Sequence, residues 1–419
     1  MVLTVLVGTL SIYPVFSALT SSIVLRSSGQ INLPNVTAES GSARDIQAAV
    51  DWVSAHGGIG SVYIPEGTFN FVEVGESWMT VNIPAGVNLF GATTERDVND
   101  QVVEWKTTLV IPWNAPSEKM FKIVGNGDSN TPSRFSDIKL VGYRYYDSSS
   151  TTLPRGISIT DVVDFRIDHC YFQDICGGAI SAWGHNSKKI CGVIDHSYFV
   201  NTVGVVVDKI ADCTVTYGVE AGREYGSLWE DNVSKVLGQY TDYSVYIEDC
   251  YFEKWRHAVA SNSGAHYVLR YSTIQDDYGY GSIDAHGWYQ EKNGEITQVG
   301  TRAVEIYGNT ITNAIQSPWG TMIRGGAGVA FDNTFGGGTY DYFIYLTNEM
   351  REVPEAEFIW CNDWYIWGNT VTDGAQQFVK YDPKGQIIED VNYHFHAPNL
   401  AQNGFVYSPY QYPHYLTIE

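Results

Sequence analysis

A short polar tag followed by an apolar residue returns along this chain. Its copies are Asp168-His-Cys-Tyr-Phe172, Asp195-His-Ser-Tyr-Phe199, Asp249-Cys-Tyr-Phe252, Tyr271-Ser-Thr-Ile274, Gly308-Asn-Thr-Ile311, Asp332-Asn-Thr-Phe335 and Gly368-Asn-Thr-Val371. From Phe172 to Val371 the steps are 27, 53, 22, 37, 24 and 36 residues. A rung of about 22–27 residues explains the short steps; 53 reads as two rungs, and 37 and 36 as rungs with loop insertions. One such unit cannot bury its own apolar face, so the repeats must stack on one another. The Leu/Asn consensus of leucine-rich repeats is missing. Asn in the tag suits a turn residue that tolerates the left-handed region and ladders to its neighbours.

A second short strand lies between tags: Ala179-Ile-Ser-Ala-Trp183, Ala258-Val-Ala-Ser-Asn262, Ser282-Ile-Asp-Ala-His286, Met322-Ile-Arg324 and Phe343-Ile-Tyr-Leu346. Aligning Ile180, Val259, Ile283, Ile323 and Ile344 as inward residues gives an outward column of Ser181, Ala260, Asp284, Arg324 and Tyr345. Asn262 and His286 form a second column. Cys170 and Cys250 hold equivalent tag positions, about three rungs or roughly 14 Å apart. That exceeds the reach of a disulfide, so both are expected to pack as small apolar groups. The same register puts Arg270 beside Glu248 as an ion pair.

Residues 40–70 form the clearest local unit. Ile46, Ala49, Val50 and Val53 recur at helical spacing, with Ser42 as N-cap. His56-Gly57-Gly58 ends the helix, and Ser61-Val62-Tyr63-Ile64-Pro65-Glu66-Gly67-Thr68 reads as strand and turn. This helix, Gly-rich turn and V-Y-I-P-E-G-T-F string resembles the N-terminal cap of the pectin-lyase-like superfamily. The segments 256–270, 282–287, 300–309 and 322–331 look like a group of secreted microbial proteins with that fold. The resemblance implies an all-β chain: a single-stranded right-handed parallel β-helix (solenoid) over 23–380. The capping helix lies within 42–55, and an irregular strap over 381–419 is expected to pack on the last rungs.

Residues 1–22 read as a signal peptide, apolar up to Leu19 with small residues Ser17 and Ala18 near a cleavage point. That places the mature protein outside the cell or on its surface, without a stable membrane span. Twenty-five Lys and Arg against 47 Asp and Glu give a net charge of −22, which excludes a nucleic-acid partner. Six cysteines without a CxxC pair argue against a cysteine-held zinc site.

Chemistry concentrates in 254–302. Asp284, His257 and His286 are the acid/base candidates, and Arg256, Arg302 and Arg324 handle substrate charge. Asn262, His266, Trp288, Trp319 and Tyr345 are candidates for contacting substrate, although His266 also suits a structural place at a strand start. Asp276 and Asp277 are the weak candidates for a metal, Ca²⁺ by type.

Arg, His and Asp on one face suit a polysaccharide. A lyase must neutralise a uronate carboxylate, remove the proton α to it and protonate the leaving oxygen. A hydrolase needs two carboxylates at a defined separation. The motif series of polygalacturonases is absent, and the Lys-plus-Arg pair of alginate and chondroitin lyases lacks an evident Lys. The expectation is therefore a polysaccharide-binding protein that cleaves by β-elimination in preference to hydrolysis. The alternatives are a non-catalytic cell-surface, filament or adhesin-type subunit, or a phage-type spike that self-associates.

Overall fold

Alternation builds each strand. In Ile157-Ser158-Ile159 and Ile180-Ser181-Ala182 the apolar residues face a shared interior and the serines turn away. The computed structural model describes residues 33–73, 75–111, 118–127, 131–142, 155–175, 177–185, 188–202, 217–223, 232–275, 281–313, 319–338 and 342–418. Residues 1–22, Asp276, Asp277, Cys176 and Cys213 fall outside this set.

A complete rung supplies three strands, as in Arg155–Thr160, Val163–Asp168 and Tyr171–Gln173. Equivalent strands of successive rungs pair in parallel. Among the described residues this yields two ten-stranded sheets and one of twelve strands. We call them the site sheet (with Arg155–Thr160), the strap sheet (twelve strands, with Val163–Asp168) and the tag sheet (with Tyr171–Gln173). The chain is a parallel β-helix.

Identical positions stack along the core. Phe172, Phe199 and Phe252 lie face to face, with ring centroids 4.8 and 4.5 Å apart. In later rungs the tag asparagines form the expected ladder: Asn309 donates to Asn333 at 3.0 Å, and Asn333 to Asn369 at 2.9 Å. The left-handed residue is the one before each asparagine: Gly308, Asp332 and Gly368 have φ of 67°, 52° and 65°. The asparagine itself lies outside that region, and its amide reaches the next rung.

Two register expectations are corrected. Tyr198 pairs directly with Tyr251, so the 53-residue step is one rung with long excursions. Cys170 and Cys250 are therefore two rungs apart, about 10 Å at the strand spacing, with Ser197 between them. Both are buried, free thiols. On the site sheet Asp284 pairs with Met322, and Ala285 with Ile323. Arg324 thus belongs to the column of His286, because the strand Trp319–Ile323 begins two residues earlier than the Ile alignment assumed.

The helix Ala43–Ala55 caps the first rung, with Ser42 accepting from the Asp45 amide. Ile46, Ala49, Val50 and Val53 are buried. At the other end, Tyr393–His394 pairs with Trp364–Tyr365 as the last strand of the strap sheet. The strap does not stop on the last rungs. It runs back along the strap sheet: Phe405 packs on Tyr365, Tyr407 on Phe331, and Tyr415 reaches Asp164. Arg270 pairs with Glu248 as expected, and it also donates to the carbonyls of Tyr410 and Gln411, each at 2.9 Å. The aromatic outer side of that sheet needs this cover. No helix among the described residues is long and apolar enough to cross a membrane.

Candidate functional site

Three outward columns run along the site sheet. Lys119 and Arg155 are paired neighbours in the first, and Tyr217 and His257 are paired further along it. The second holds Ser158, Ser181, Glu220, Ala260, Asp284, Met322 and Tyr345 in successive rungs. The third holds Trp183, Gly222 and Asn262, with His286 and Arg324 one residue beyond the paired strands. From Lys119 to Tyr345 the face spans roughly 34 Å at about 4.8 Å per rung.

Asp284 is the centre of a charged cluster. Arg324 grips it with both arms of its fork, Nε at 3.1 Å and Nη2 at 2.6 Å, and His286 Nε2 donates to it at 2.8 Å. Glu349 holds the other side of Arg324 at 2.8 Å and accepts from the Gly287 amide at 2.9 Å. The carboxylate of Asp284 is completely buried. Burial alone would raise its pKa, but His286, Arg324 and His257 outweigh that and hold it far below the usual carboxylate range. For His286, burial opposes the charge, yet Asp284 raises its pKa to about 9. His286 is therefore a cation at neutral pH and a proton donor. His257 is also fully enclosed; burial lowers its pKa to about 4, against the pull of Asp284. Its Nδ1 faces the carbonyl of Gly281, and its Nε2 lies 3.7 Å from Asp284.

His257 and Asp284, expected as acid/base groups, are both fully enclosed: the Arg324 fork bonds the Asp284 carboxylate, and the Tyr217 ring stacks on His257. Arg256 is half-buried beside this cluster, its charge acting on Tyr217 and His257. Asn262 is half-buried next to His286 in the third column. Trp319 and Tyr345 stack with centroids 4.3 Å apart, extending the face with an aromatic shelf. Trp288 is exposed just past the strand Ile283–Ala285.

Two expected residues lie elsewhere. His266 is buried on the strap sheet between Ser244 and Glu305, at 2.9 Å from each, and serves the fold. Arg302 precedes the strap-sheet strand Ala303–Tyr307 and lines a separate hollow with Asn232, Trp360 and Asp363. It follows a strand excursion, so its sequence proximity to His286 does not become proximity on the site face.

One rung towards the N-terminus from His257, the columns open into a cleft of about 260 Å³ lined by Lys119, Arg155, Ser181, Tyr217 and Glu220. Burial, with Arg155 and Lys122, lowers the pKa of Lys119, and Ser158 accepts from its Nζ at 2.8 Å. Burial raises the pKa of Glu220, against His286, Lys119 and Arg155. Tyr217 forms the wall shared with the charged cluster: its ring stacks on His257 at 5.5 Å and meets His286 edge-on at 6.4 Å. Lys119 lies 36 positions before Arg155 and one rung below it. Tyr217-Gly-Val-Glu-Ala221 matches His257-Ala-Val-Ala-Ser261 position for position, a signal hidden inside the 53-residue step.

No family model matches this sequence, and no curated protein matches it. Solved structures do. A variant of the tailspike protein of Escherichia coli bacteriophage HK620, solved with a pentasaccharide, aligns over 79% of this chain and 53% of its own, with a TM-score of 0.50 and 16% identity. The present chain thus spans about half the length of that protein. An alginate lyase from Paenibacillus sp. FPU-7 aligns over 83% and 99%, with a TM-score of 0.46 and 11% identity. A tailspike of Acinetobacter baumannii bacteriophage Fri1, described as a capsular polysaccharide depolymerase, aligns over 84% and 61%, with a TM-score of 0.44 and 12% identity. At these identities the likeness is one of fold: the chain is a right-handed parallel β-helix.

Proposed function

We propose that the site sheet binds a polysaccharide along its columns and that the Lys119–Glu220 cleft cleaves a uronate-containing chain by β-elimination. One observation carries this reading. A single cleft holds a lysine shifted towards its neutral form, a carboxyl shifted towards its protonated form, and the exposed guanidinium of Arg155. Those are the base, acid and carboxylate clamp that elimination requires. Arg155 pairs with the uronate carboxylate and makes the adjacent C–H more acidic. The amine of Lys119 takes that proton, the C4–O4 bond breaks, a C4=C5 double bond forms, and Glu220 gives its proton to O4. Lys119 then returns its proton to Glu220 through solvent. Hydrolysis fits less well, since Asp284, the carboxylate two rungs from Glu220, has no access to water. The pentasaccharide bound by the HK620 tailspike variant supports a glycan as ligand for this fold.

The buried state of Asp284 and His257 favours a second reading, in which the face binds glycan without cutting it. A panel of polyuronates and neutral glycans, followed by absorbance near 235 nm for unsaturated ends and by reducing-sugar release, separates the two. The expected result is an absorbing product from a polyuronate, lost by about 10²–10⁴-fold in Lys119→Met and Glu220→Gln. Tight binding with no product from any glycan supports the second reading, and reducing ends without absorbance would sink elimination.

A further inference from the structure

The last turn of the strap sheet carries a donor set that the site sheet does not use. Asp390, His394 and His396 each offer one ligand atom, and these atoms lie within 4.8 Å of one another. His394 ends the short strand Tyr393–His394 and His396 follows in the bend after it, with the two ring centroids 5.4 Å apart. Asp390 sits in a left-handed turn, φ 60°, whose amide bonds the Tyr393 carbonyl and brings its carboxylate to 3.9 Å from His394 Nδ1. His396 Nδ1 faces the carbonyl of Ala397 at 2.8 Å. A carbonyl only accepts, so the ring proton is on Nδ1 and the Nε2 lone pair is free, the tautomer that second-shell carbonyls impose on metal-binding imidazoles. The His394 ring is anchored by stacking on Tyr365, with centroids 4.7 Å apart.

We propose that Asp390, His394 and His396 form a divalent transition-metal site, for Zn²⁺ or Ni²⁺ by donor type, which clips the final turn to the end of the solenoid. Two imidazoles and one carboxylate match the borderline-soft ions and leave positions for water. Metal–ligand distances of about 2.0–2.2 Å require the three donors to draw together by roughly an ångström, which the exposed side chain of Asp390 permits. His394 belongs to a strand paired with Trp364–Tyr365, so the ion would link this exposed turn to the fixed rungs.

Tag-free full-length protein, stripped with chelator, is titrated with Zn²⁺ alone by calorimetry, and its melting temperature is followed in parallel. The expected result is one micromolar site per chain and a rise in melting temperature with Zn²⁺. His396→Gln and Asp390→Asn should each weaken binding by about 10–100-fold or more while melting like the metal-free parent. His394→Gln adds a second arm, and Co²⁺ in place of Zn²⁺ should give visible absorption that His396→Gln removes. Millimolar or multi-site binding, or variants that bind as tightly as the parent, overturns the proposal.

Discussion

At the scale of single residues, Asp284 shows how a carboxylate can be kept charged without water. Two cations, Arg324 and His286, replace its hydration, so the pH dependence of folding is written into this cluster. The folded pKa of His286, about 9, lies above the ordinary 6.5, so its contribution is complete below pH 6.5 and is lost as pH rises through 9. His257 is depressed from 6.5 to about 4, so folding weakens as pH falls across that interval. The melting temperature, followed by tryptophan fluorescence, should therefore peak near pH 6.5 as far as this cluster governs it. His286→Gln should flatten the alkaline limb between pH 6.5 and 9, and an unchanged limb would show that the imidazolium is not held by Asp284. The sequence marks Asp284, His286 and Arg324 as neighbours because they fall at the ends of strands in successive repeats. It does not reveal that Asp284 is sealed, because the long side chain of Arg324 that bonds it comes from the next rung. Lys119 and Glu220 escape notice for the opposite reason. Each stands alone in its segment, and only stacking makes them a pair.

At the scale of elements, local pattern and register behave differently. The cap helix is legible because its spacing and its N-cap lie within a dozen residues. The tag strands are legible because each carries its own turn. The strand Tyr217–Arg223 is not, since long excursions separate it from both neighbouring strands of its sheet. The strap defeats sequence reading as well. Its tyrosines are chosen by the aromatic face they cover, and no periodicity connects them to it. Arg270 is the hinge of that arrangement, fully buried with Glu248 and bonded to two strap carbonyls. Removing one member of a buried pair leaves the other charge stranded, so Arg270→Met should cost about 3–5 kcal/mol in urea unfolding. The double variant Arg270→Met, Glu248→Gln should recover part of that loss. Equal losses in single and double variants would mean that the strap contacts, not the ion pair, dominate.

At the scale of the whole molecule, the charge of −22 opposes any polyanion at long range, while Lys119, Lys122 and Arg155 stand close together on the site face. The two fields separate by distance. Screening shortens the repulsion first, because the Debye length falls from about 30 Å at 0.01 M salt to about 8 Å at 0.15 M. Association with a polyuronate should then accelerate as salt is raised over that range, as measured by stopped-flow fluorescence. A rate that falls instead would show that the local cations govern the approach. The solenoid itself was readable from the repeat alone, because stacking is the one way such a unit can bury its apolar side.

The strap also changes how the molecule bears a load. Rungs in a solenoid touch only their neighbours, so tension applied along the axis would part them one interface at a time. Here Tyr415 bonds Asp164, the His414 amide bonds Glu248, Arg270 holds Tyr410 and Gln411, and Tyr407 bonds Glu305. A pull on the strap at Tyr415 would release these anchors in that order, like stitches along a seam, and the rungs beneath would not separate until the seam had opened. The strap therefore couples rungs that do not touch one another.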